Sequence, residues 1–185
     1  MVRQVVLDTE TTGLDANGGD RIVEIGCVEV IDRQVTGNHF HVYINPERHM
    51  SEDAVKIHGL TDGFLSDKPA FSGIAAGFCE FIRDAELIIH NAEFDVGFLD
   101  AELKRLDMPS IAELTAHVID SLALAKQMFP NRRNSLDALC DRFGVDRSER
   151  TIHGALLDAQ LLAEVYLVMM QDGFRMASGD DGGEC

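Results

Sequence analysis

Acidic residues that could bind metal ions occur at three separated places in this chain. Asp8 and Glu10 lie in VVLDTETTGL, Asp95 in IIHNAEFDVGFL, and Asp158 in HGALLDAQLL, five residues after His153. Each place is a point where an apolar run meets a turn or a helix start, so a fold could bring all of them together. Converging carboxylates without a cation would repel one another, and burial would raise their pKa values. A pair of divalent cations removes this repulsion, and the pattern therefore predicts a metal-dependent nuclease.

Asp8 and Glu10 are two residues apart at the end of a predicted strand. Strand side chains alternate, so both carboxylates project from the same face. Asp-x-Glu alone has little specificity in so acidic a chain, and it also fits a solvated strand end. Its position favours a ligand site, because open α/β sheets bind ligands at the carboxyl ends of their strands. The TTG that follows supplies a turn whose small side chains let the backbone approach a ligand.

Asp95 follows IIHNAEF, where a strand is predicted to end and a helix to begin. Acidic residues also stabilise the first turn of a helix through its dipole. Judged by its own surroundings, Asp95 fits a helix-terminal charge and a site residue equally well.

His153 and Asp158 are the most informative pair. Five helical residues exceed a full turn by about 140°, so on one regular helix these two side chains would not share a face. Gly154 indicates that His153 lies in a loop leading into a helix that carries Asp158. Such a histidine could swing over a metal cluster to which the aspartate is fixed. An exposed loop histidine without a chemical role is the alternative.

Hydrophobic periodicity predicts three successive strands, followed by alternating strands and helices. The strands are predicted at residues 2–8, 21–31, 38–44, 86–90 and near 117–120. The helices are predicted after Pro69 and at about 94–106, 121–129, 135–143 and 154–171. This order is typical of an α/β fold with a mixed sheet flanked by helices. We assign residues 1–174 to one domain, and the small, acidic and glycine-rich residues 175–185 to a flexible tail or the start of a linker.

The charge balance restricts how a nucleic acid could be bound. The chain has 32 acidic and 16 basic residues, which give a formal net charge of −16. Proteins that grip a long polyanion usually carry a basic face. We therefore expect contact with only a few nucleotides, local positive charge from metals, and delivery of the substrate by a partner.

Composition also bears on the compartment. No apolar run approaches the roughly 20 residues that a membrane span requires, and the N-terminus has no secretory pattern. The four cysteines are scattered and form no CxxC pair. We expect reduced thiols and a cytoplasmic protein that does not bind a membrane.

In order and local sequence, the motifs DTETTG, HNAEFD and His-x-x-x-x-Asp resemble those of the DEDDh family of 3′→5′ exonucleases, and the resemblance covers residues 3–170. Segments outside the motifs, among them RIVEIGCVEV, FPNRRNSLDALC and RTIHGALLDAQLLAEVYL, resemble proofreading subunits of bacterial replicative DNA polymerases more than RNA-processing relatives. The resemblance implies a ribonuclease H-like core. It also implies release of nucleoside 5′-monophosphates, one at a time, from the 3′ end.

The resemblance further implies a role for each motif residue. Asp8, Glu10 and Asp158 would hold one Mg²⁺ or Mn²⁺, and Asp8 would bridge to a second ion, near which Asp95 acts partly through water. His153 would be the general base. General chemistry agrees, because oxygen ligands suit both metals, and two ions about 3.5–4 Å apart stabilise the attacking and leaving oxygens of an in-line displacement. A histidine with a pKa of about 6.5 can accept a proton at neutral pH.

Further residues are candidates for substrate contacts. The three carboxylates that hold the first ion are expected to line the substrate site. Ile57 and His58 match a segment that in relatives of this type lies beside the terminal nucleotides. A surface histidine that closes a short helix is the alternative for His58. Thr9 and Asn91 are placed near the substrate by motif matching alone.

Three functions stay open at this point. The preferred one is a proofreading 3′→5′ DNA exonuclease within a polymerase assembly, and the second is a stand-alone enzyme that trims RNA ends or short oligoribonucleotides. The third, a mainly structural subunit of a polymerase assembly, is disfavoured by the intact set of site residues. The expected partners are a single-stranded or mismatched DNA 3′ end and a polymerase catalytic subunit, contacted through a segment beyond residue 185. A small accessory subunit is a further candidate partner.

Overall fold

The computed structural model describes the backbone of residues 1–177 and the side chains of residues 1–171. Its strands are β1 Arg3–Thr11, β2 Ile22–Ile31, β3 Gln34–Tyr43, β4 Glu86–Ile89 and β5 His117–Asp120. Its helices are α1 Glu52–His58, α2 Asp62–Leu65, α3 Phe71–Ile82, α4 Ala92–Arg105, α5 Ile111–Leu114, α6 Ser121–Met128, α7 Leu136–Phe143 and α8 Ala155–Ala177. The first three residues assigned to a tail, 175–177, continue α8, and the remainder of that tail lies outside the described residues.

The strands form one five-stranded sheet in the order β3-β2-β1-β4-β5. The first three strands are antiparallel neighbours, whereas β4 and β5 continue the sheet parallel to β1. This is the mixed α/β sheet with a three-stranded meander that the sequence predicts, and the prediction is confirmed. Because β1 is the central strand, residues of both neighbouring strands lie beside its carboxyl end.

Alternating side chains of β1 divide the hydrophobic core into two layers. Val5 and Leu7 are buried against α3 and α4 on one face, together with Phe78 and Phe98. On the other face, Val6 is buried against α8. Asp8 and Glu10 continue the series of Val6, so strand geometry directs both carboxylates toward the face that α8 covers.

Helix α8 approaches the sheet closely because small residues lie between them. Ala155, Ala159 and Ala163, four residues apart, are almost completely buried on the side of the helix that faces the sheet. Gly26 of β2 lies beneath the start of α8, where an added Cβ would overlap with the backbone of Ala155 and Leu156. The first turn of α8 can therefore reach β1 only if position 26 has no side chain.

Several elements differ from the sequence-based expectation. Helices α1, α2 and α5 were not predicted, because four to seven residues are too few to display helical periodicity. Strand β3 begins four residues earlier than the predicted residue 38, since its first residues are exposed and lack an apolar pattern. Strand β1 continues to Thr11 and does not end at residue 8 as predicted. Glu10 therefore lies within the strand, as Asp8 does.

Within the described residues, every helix is too short or too polar to cross a membrane.

Gly26→Ala is expected to lower the free energy of unfolding by about 1–3 kcal/mol or more, because backbone atoms of α8 cannot move aside as a flexible side chain would. Urea denaturation measures this change. Gly97→Ala is the matched control, since a Cβ at this exposed position of α4 meets nothing within 4 Å. That variant should be neutral or stabilising by about 0.5–1 kcal/mol. Equal stability of the two variants would contradict the close approach of α8.

Candidate active site

Two rows of residues cross the sheet on the face covered by α8. In the first row, Asp8 of β1 lies opposite Gly26 of β2. In the second row, Glu10 lies directly opposite Glu24, and both carboxylates are buried. Like charges directly opposite one another destabilise a sheet, so this pairing requires compensation from other groups.

Glu24 connects the sheet to the start of α8. Its Oε1 accepts a hydrogen bond of 3.1 Å from the backbone N–H of Ala155, one of the N–H groups that a helix N-terminus leaves unpaired. The same oxygen lies 2.9 Å from Nε2 of His41 on β3. Glu24 therefore holds the start of α8 against the sheet, and this places Asp158 of that helix close to Glu10. Neither Glu24 nor His41 was singled out from the sequence, where Glu24 is one polar residue in an alternating strand.

His153 and Asp158 approach the sheet from different local structures. His153 lies in the loop before α8, where its backbone N–H donates to the carbonyl of Ile57 over 2.9 Å. Asp158 lies in the first turns of α8 and is buried, whereas the side chain of His153 is 47% exposed. Nδ1 of His153 is 3.6 Å from Oδ2 of Asp158. The loop-and-helix arrangement brings the two side chains together although they would not share a face of one helix.

Glu10, His153 and Asp158 each offer one atom that could bind a metal ion, and these three atoms all lie within 4.8 Å of one another. Asp95 adds a carboxyl group close enough to raise the pKa of both Glu10 and Asp8, and Glu10 also raises the pKa of Asp8. Carboxylate oxygens are hard ligands of the kind that Mg²⁺ and Mn²⁺ prefer. The donor set therefore fits a hard divalent cation.

Asp95 reaches this cluster from the other side of β1. It lies in the first turn of α4 and is buried, and its Oδ1 accepts a 2.6 Å hydrogen bond from the hydroxyl of Thr9. Thr9 alternates with Asp8 and Glu10 and so projects from the opposite face of the strand. Asp95 was expected to be either a charge at a helix terminus or a site residue. The two interpretations are compatible, because its carboxylate lies in the first turn of α4 and also at the edge of the acidic cluster.

Burial and mutual repulsion raise the carboxyl pKa values of the cluster. Burial is the largest cause at Asp8, whose pKa lies well above its usual value, and Asp95 and Glu10 contribute further. Burial, followed by the charges of Asp158 and Glu24, raises the pKa of Glu10 to about 8. At Asp95 burial raises the pKa to about 7, against a lowering by the hydrogen bond from Thr9. In the absence of cations these groups would retain protons near neutral pH.

One basic residue is inserted into this acidic cluster. Arg150, with a side chain only 8% exposed, donates from Nε and Nη2 to the two carboxylate oxygens of Asp158 over 2.6 and 2.9 Å. The hydrogen bond to Asp158 is also the largest cause of a raised Arg150 pKa. Burial and the Arg150 charge together lower the pKa of His153. Sequence reasoning missed Arg150, although an arginine three residues before His153 was visible in RTIHGALLD.

Three of the residues expected near the substrate, Thr9, Ile57 and His58, line a cavity of about 230 Å³ beside Glu10, whereas Asn91 does not line it. Its apolar wall includes Leu14, Ile57 and Phe94, of which Ile57 is 47% exposed. His58 closes α1, as the alternative interpretation held, but it is buried and not at the surface.

The ring nitrogens of His58 bind the backbone. Nε2 lies 3.1 Å from the carbonyl of Thr11, and Nδ1 accepts the N–H of Leu60 over 3.1 Å. Only the ring itself is therefore available to contact a ligand in the cavity. Asn91 is exposed and left-handed before α4, and its backbone N–H donates to Asp120 over 3.2 Å.

The sequence matches a family of known proteins along most of its length. The family described as Exonuclease (RNase_T) matches residues 5–166. DNA polymerase III subunit epsilon of Pasteurella multocida is 56% identical over 171 residues, which cover 90% of this chain and 68% of that protein. The epsilon subunit of Escherichia coli K12 is 53% identical over 188 residues, with coverage of 98% and 77%.

Solved structures share the fold. Exonuclease X in complex with 5′-overhanging duplex DNA superimposes with a TM-score of 0.70 and 25% identity, covering 91% of this chain and 92% of that one. Escherichia coli exonuclease I in complex with a dT13 oligonucleotide gives a TM-score of 0.80 at 17% identity, covering 96% of this chain and 43% of that one. The second likeness concerns the fold alone.

Glu10→Gln is expected to stabilise the metal-free protein at high pH. The Glu10 carboxyl has a pKa of about 8 in the folded chain, against about 4.3 in an unfolded one. Between these values the folded state binds the extra proton, so stability is full below the lower pKa and is lost as the pH rises through the higher one. The neutral amide avoids this loss. At pH 8.5 in EDTA we expect a gain of about 1–3 kcal/mol in the free energy of unfolding.

Urea denaturation at several pH values between 6.5 and 8.5 checks this expectation. Glu164→Gln, at an exposed position of α8, is the matched control and should change little. A Glu10→Gln protein less stable than the parent at pH 8.5 would contradict the repulsion described here.

Proposed function

This chain belongs to the exonuclease family, as a member of the DNA polymerase III epsilon group, and from that premise we propose that it is the proofreading 3′→5′ exonuclease of a bacterial replicative DNA polymerase. The observation that carries the proposal is the convergence of four motif carboxylates and His153 in a chain more than half identical to epsilon subunits. Members of an exonuclease family of this kind depend on divalent metal, and we propose Mg²⁺ or Mn²⁺ as the ion.

We assign the ion ligands from the motif residues that the family resemblance identifies. Asp8, Glu10 and Asp158 would hold one ion, and Asp8 would share a second, with Asp95 acting near it partly through water. When bound, such ions supply positive charge that stabilises the attacking and leaving oxygens of an in-line displacement at phosphorus. Asp95 is held for this purpose by the Thr9 hydroxyl, and Asp158 by the first turns of α8.

His153 is the proposed general base. Its pKa is lowered by burial and by the neighbouring Arg150 charge, so the imidazole is neutral at neutral pH and is in the protonation state that a base requires. Its loop position and 47% exposure leave it accessible to a water molecule that attacks the terminal phosphodiester. The proton of that water moves to the imidazole while the bond from phosphorus to the leaving 3′ oxygen breaks, and that oxygen takes a proton from solvent to become a 3′ hydroxyl. The products are a nucleoside 5′-monophosphate and a strand shortened by one nucleotide.

The cavity beside Glu10 is the proposed position of the terminal base. Ile57 and the ring of His58 would contact that base, and Thr9 and Asn91 would lie near the sugar and phosphate. An apolar wall accepts any base face, so selection would follow the cost of unpairing the end. That cost amounts to a few kcal/mol and is smallest at a mismatch.

The acidic surface favours exonuclease activity within a larger assembly over activity of the isolated chain. With a net charge of −16, the chain repels long DNA, and tethering to a polymerase would raise the local concentration of the 3′ end to about millimolar. The polymerase catalytic subunit is the proposed partner, and a small accessory subunit is a second. Such an assembly would operate in the cytoplasm.

Digestion of four labelled substrates tests the proposed function. Paired DNA, DNA with a mismatched 3′ end, single-stranded DNA and single-stranded RNA are incubated with the protein in Mg²⁺, Mn²⁺ or EDTA. We expect single nucleotides to be released only with metal, and faster from mismatched and single-stranded DNA than from paired DNA or RNA. Faster digestion of RNA would favour an RNA-trimming enzyme, and no metal-dependent cleavage would leave only a structural role.

His153→Ala is expected to lower turnover about 10²–10⁴-fold, because a general base contributes in that range, while Mn²⁺ affinity stays close to that of the parent. Isothermal titration calorimetry with Mn²⁺ and single-turnover cleavage separate the two effects. Asp158→Ala is the comparison variant, and it should lose Mn²⁺ affinity as well as activity. Equal losses of Mn²⁺ affinity in both variants would make His153 a metal ligand.

A further inference from the structure

Arg150 lies at the centre of the proposed site, but it neither donates nor accepts a proton and contacts no substrate in the mechanism described above. Its Nε and Nη2 bind both oxygens of Asp158, and its Nη1 donates to Oδ1 of Asp137 over 2.6 Å. Nη2 also lies 2.9 Å from Nδ1 of His153. A guanidinium that is 8% exposed and engaged on three sides is a fixed component of this arrangement.

The contact with Asp158 conflicts with metal binding. Asp158 is a proposed ion ligand, yet both of its oxygens are occupied by a bidentate guanidinium contact. A divalent cation placed between Asp158 and Glu10 would lie next to the positive charge of Arg150. Since two cations at one carboxylate repel each other, the ion and the guanidinium compete for Asp158.

The contact with His153 conflicts with base catalysis. Arginine has only donors, so Nδ1 of His153 must be the acceptor in the 2.9 Å contact with Nη2. In a neutral imidazole the other ring nitrogen then carries the proton. While Arg150 remains in place, the lone pair that should accept a proton is already occupied.

Asp137 offers the guanidinium a second position. It lies in the first turn of α7, its side chain is 45% exposed, and it already accepts Nη1. Release from Asp158 would therefore leave Arg150 paired with a carboxylate and close to solvent. A charged group without such an alternative would be costly to displace from a buried carboxylate.

We propose that Arg150 is a positioning residue that serves as the counter-ion of the metal-free site, and that divalent cations displace its guanidinium from Asp158 and His153 toward Asp137 before cleavage. Arg150 holds the two side chains in place and limits repulsion among the carboxylates until metal arrives. It thereby sets the metal concentration at which the site becomes competent. The inference rests on the proposed metal-dependent function.

Mn²⁺ binding to two variants tests the displacement. Arg150→Gln removes the competitor and should bind Mn²⁺ about tenfold more tightly, whereas Asp137→Asn removes the alternative position and should bind it more weakly than the parent. Electron paramagnetic resonance of free Mn²⁺ measures both affinities without any cleavage. Arg83→Gln is the matched control, because it loses the same charge and its Nε pairs with Glu80. Arg147 would not serve, since it also lies 3.6 Å from Asp137.

A direct signal comes from NMR of arginine Nε–H groups. The Arg150 resonance, assigned by its disappearance in Arg150→Lys, should shift when Mg²⁺ is added, while the resonance of Arg83, which pairs with Glu80, should not. Weaker Mn²⁺ binding by Arg150→Gln, or an Arg150 resonance unmoved at saturating Mg²⁺, would overturn the displacement. A parent protein that binds no Mn²⁺ would instead overturn the metal-dependent function and this inference with it.

Discussion

Carboxyl groups repel one another at short range, and five of them meet where β1 ends. Two, Asp8 and Glu10, come from that strand, and the others are Glu24 from β2, Asp95 from α4 and Asp158 from α8. Burial strengthens the repulsion, because water no longer screens the charges. The surrounding structure has to hold the groups together against that force. So many carboxyl groups of like charge in the interior lower the stability of the fold unless a cation is bound among them.

The fold meets this constraint mainly through α8. Gly26 lets the helix approach β2, and Glu24 accepts a hydrogen bond from its first turn, so that one carboxylate of the cluster positions the helix that carries another. Arg150 then supplies the only guanidinium that binds Asp158 among the side chains the structure describes. The same contacts that neutralise charge also fix geometry. Electrostatic compensation and positioning are therefore inseparable at this site.

The sequence predicts the sheet and the motif positions well, because β1, β2 and α8 have long apolar patterns and each motif residue lies where such a pattern ends. Contacts that depend on register are not visible in it. The pairing of Glu10 with Glu24 follows from the alignment of two strands, and the roles of His41 and Arg150 follow from distances across the fold. The three short helices lack periodicity, so the burial of His58 at the end of α1 was not foreseen.

The order of residues along the chain also has a consequence for protein synthesis. Ribosomes extend a chain from its N-terminus, and domains fold as the chain emerges. A nascent chain that ends before residue 150 contains Asp8, Glu10 and Asp95 but has neither His153 nor the helix that completes the sheet face. On the proposed assignment of His153 and Asp158, fragments from interrupted translation lack two of the groups needed to cut nucleic acid. The proposed catalytic centre is assembled only when almost all of the residues that the structure describes have been made.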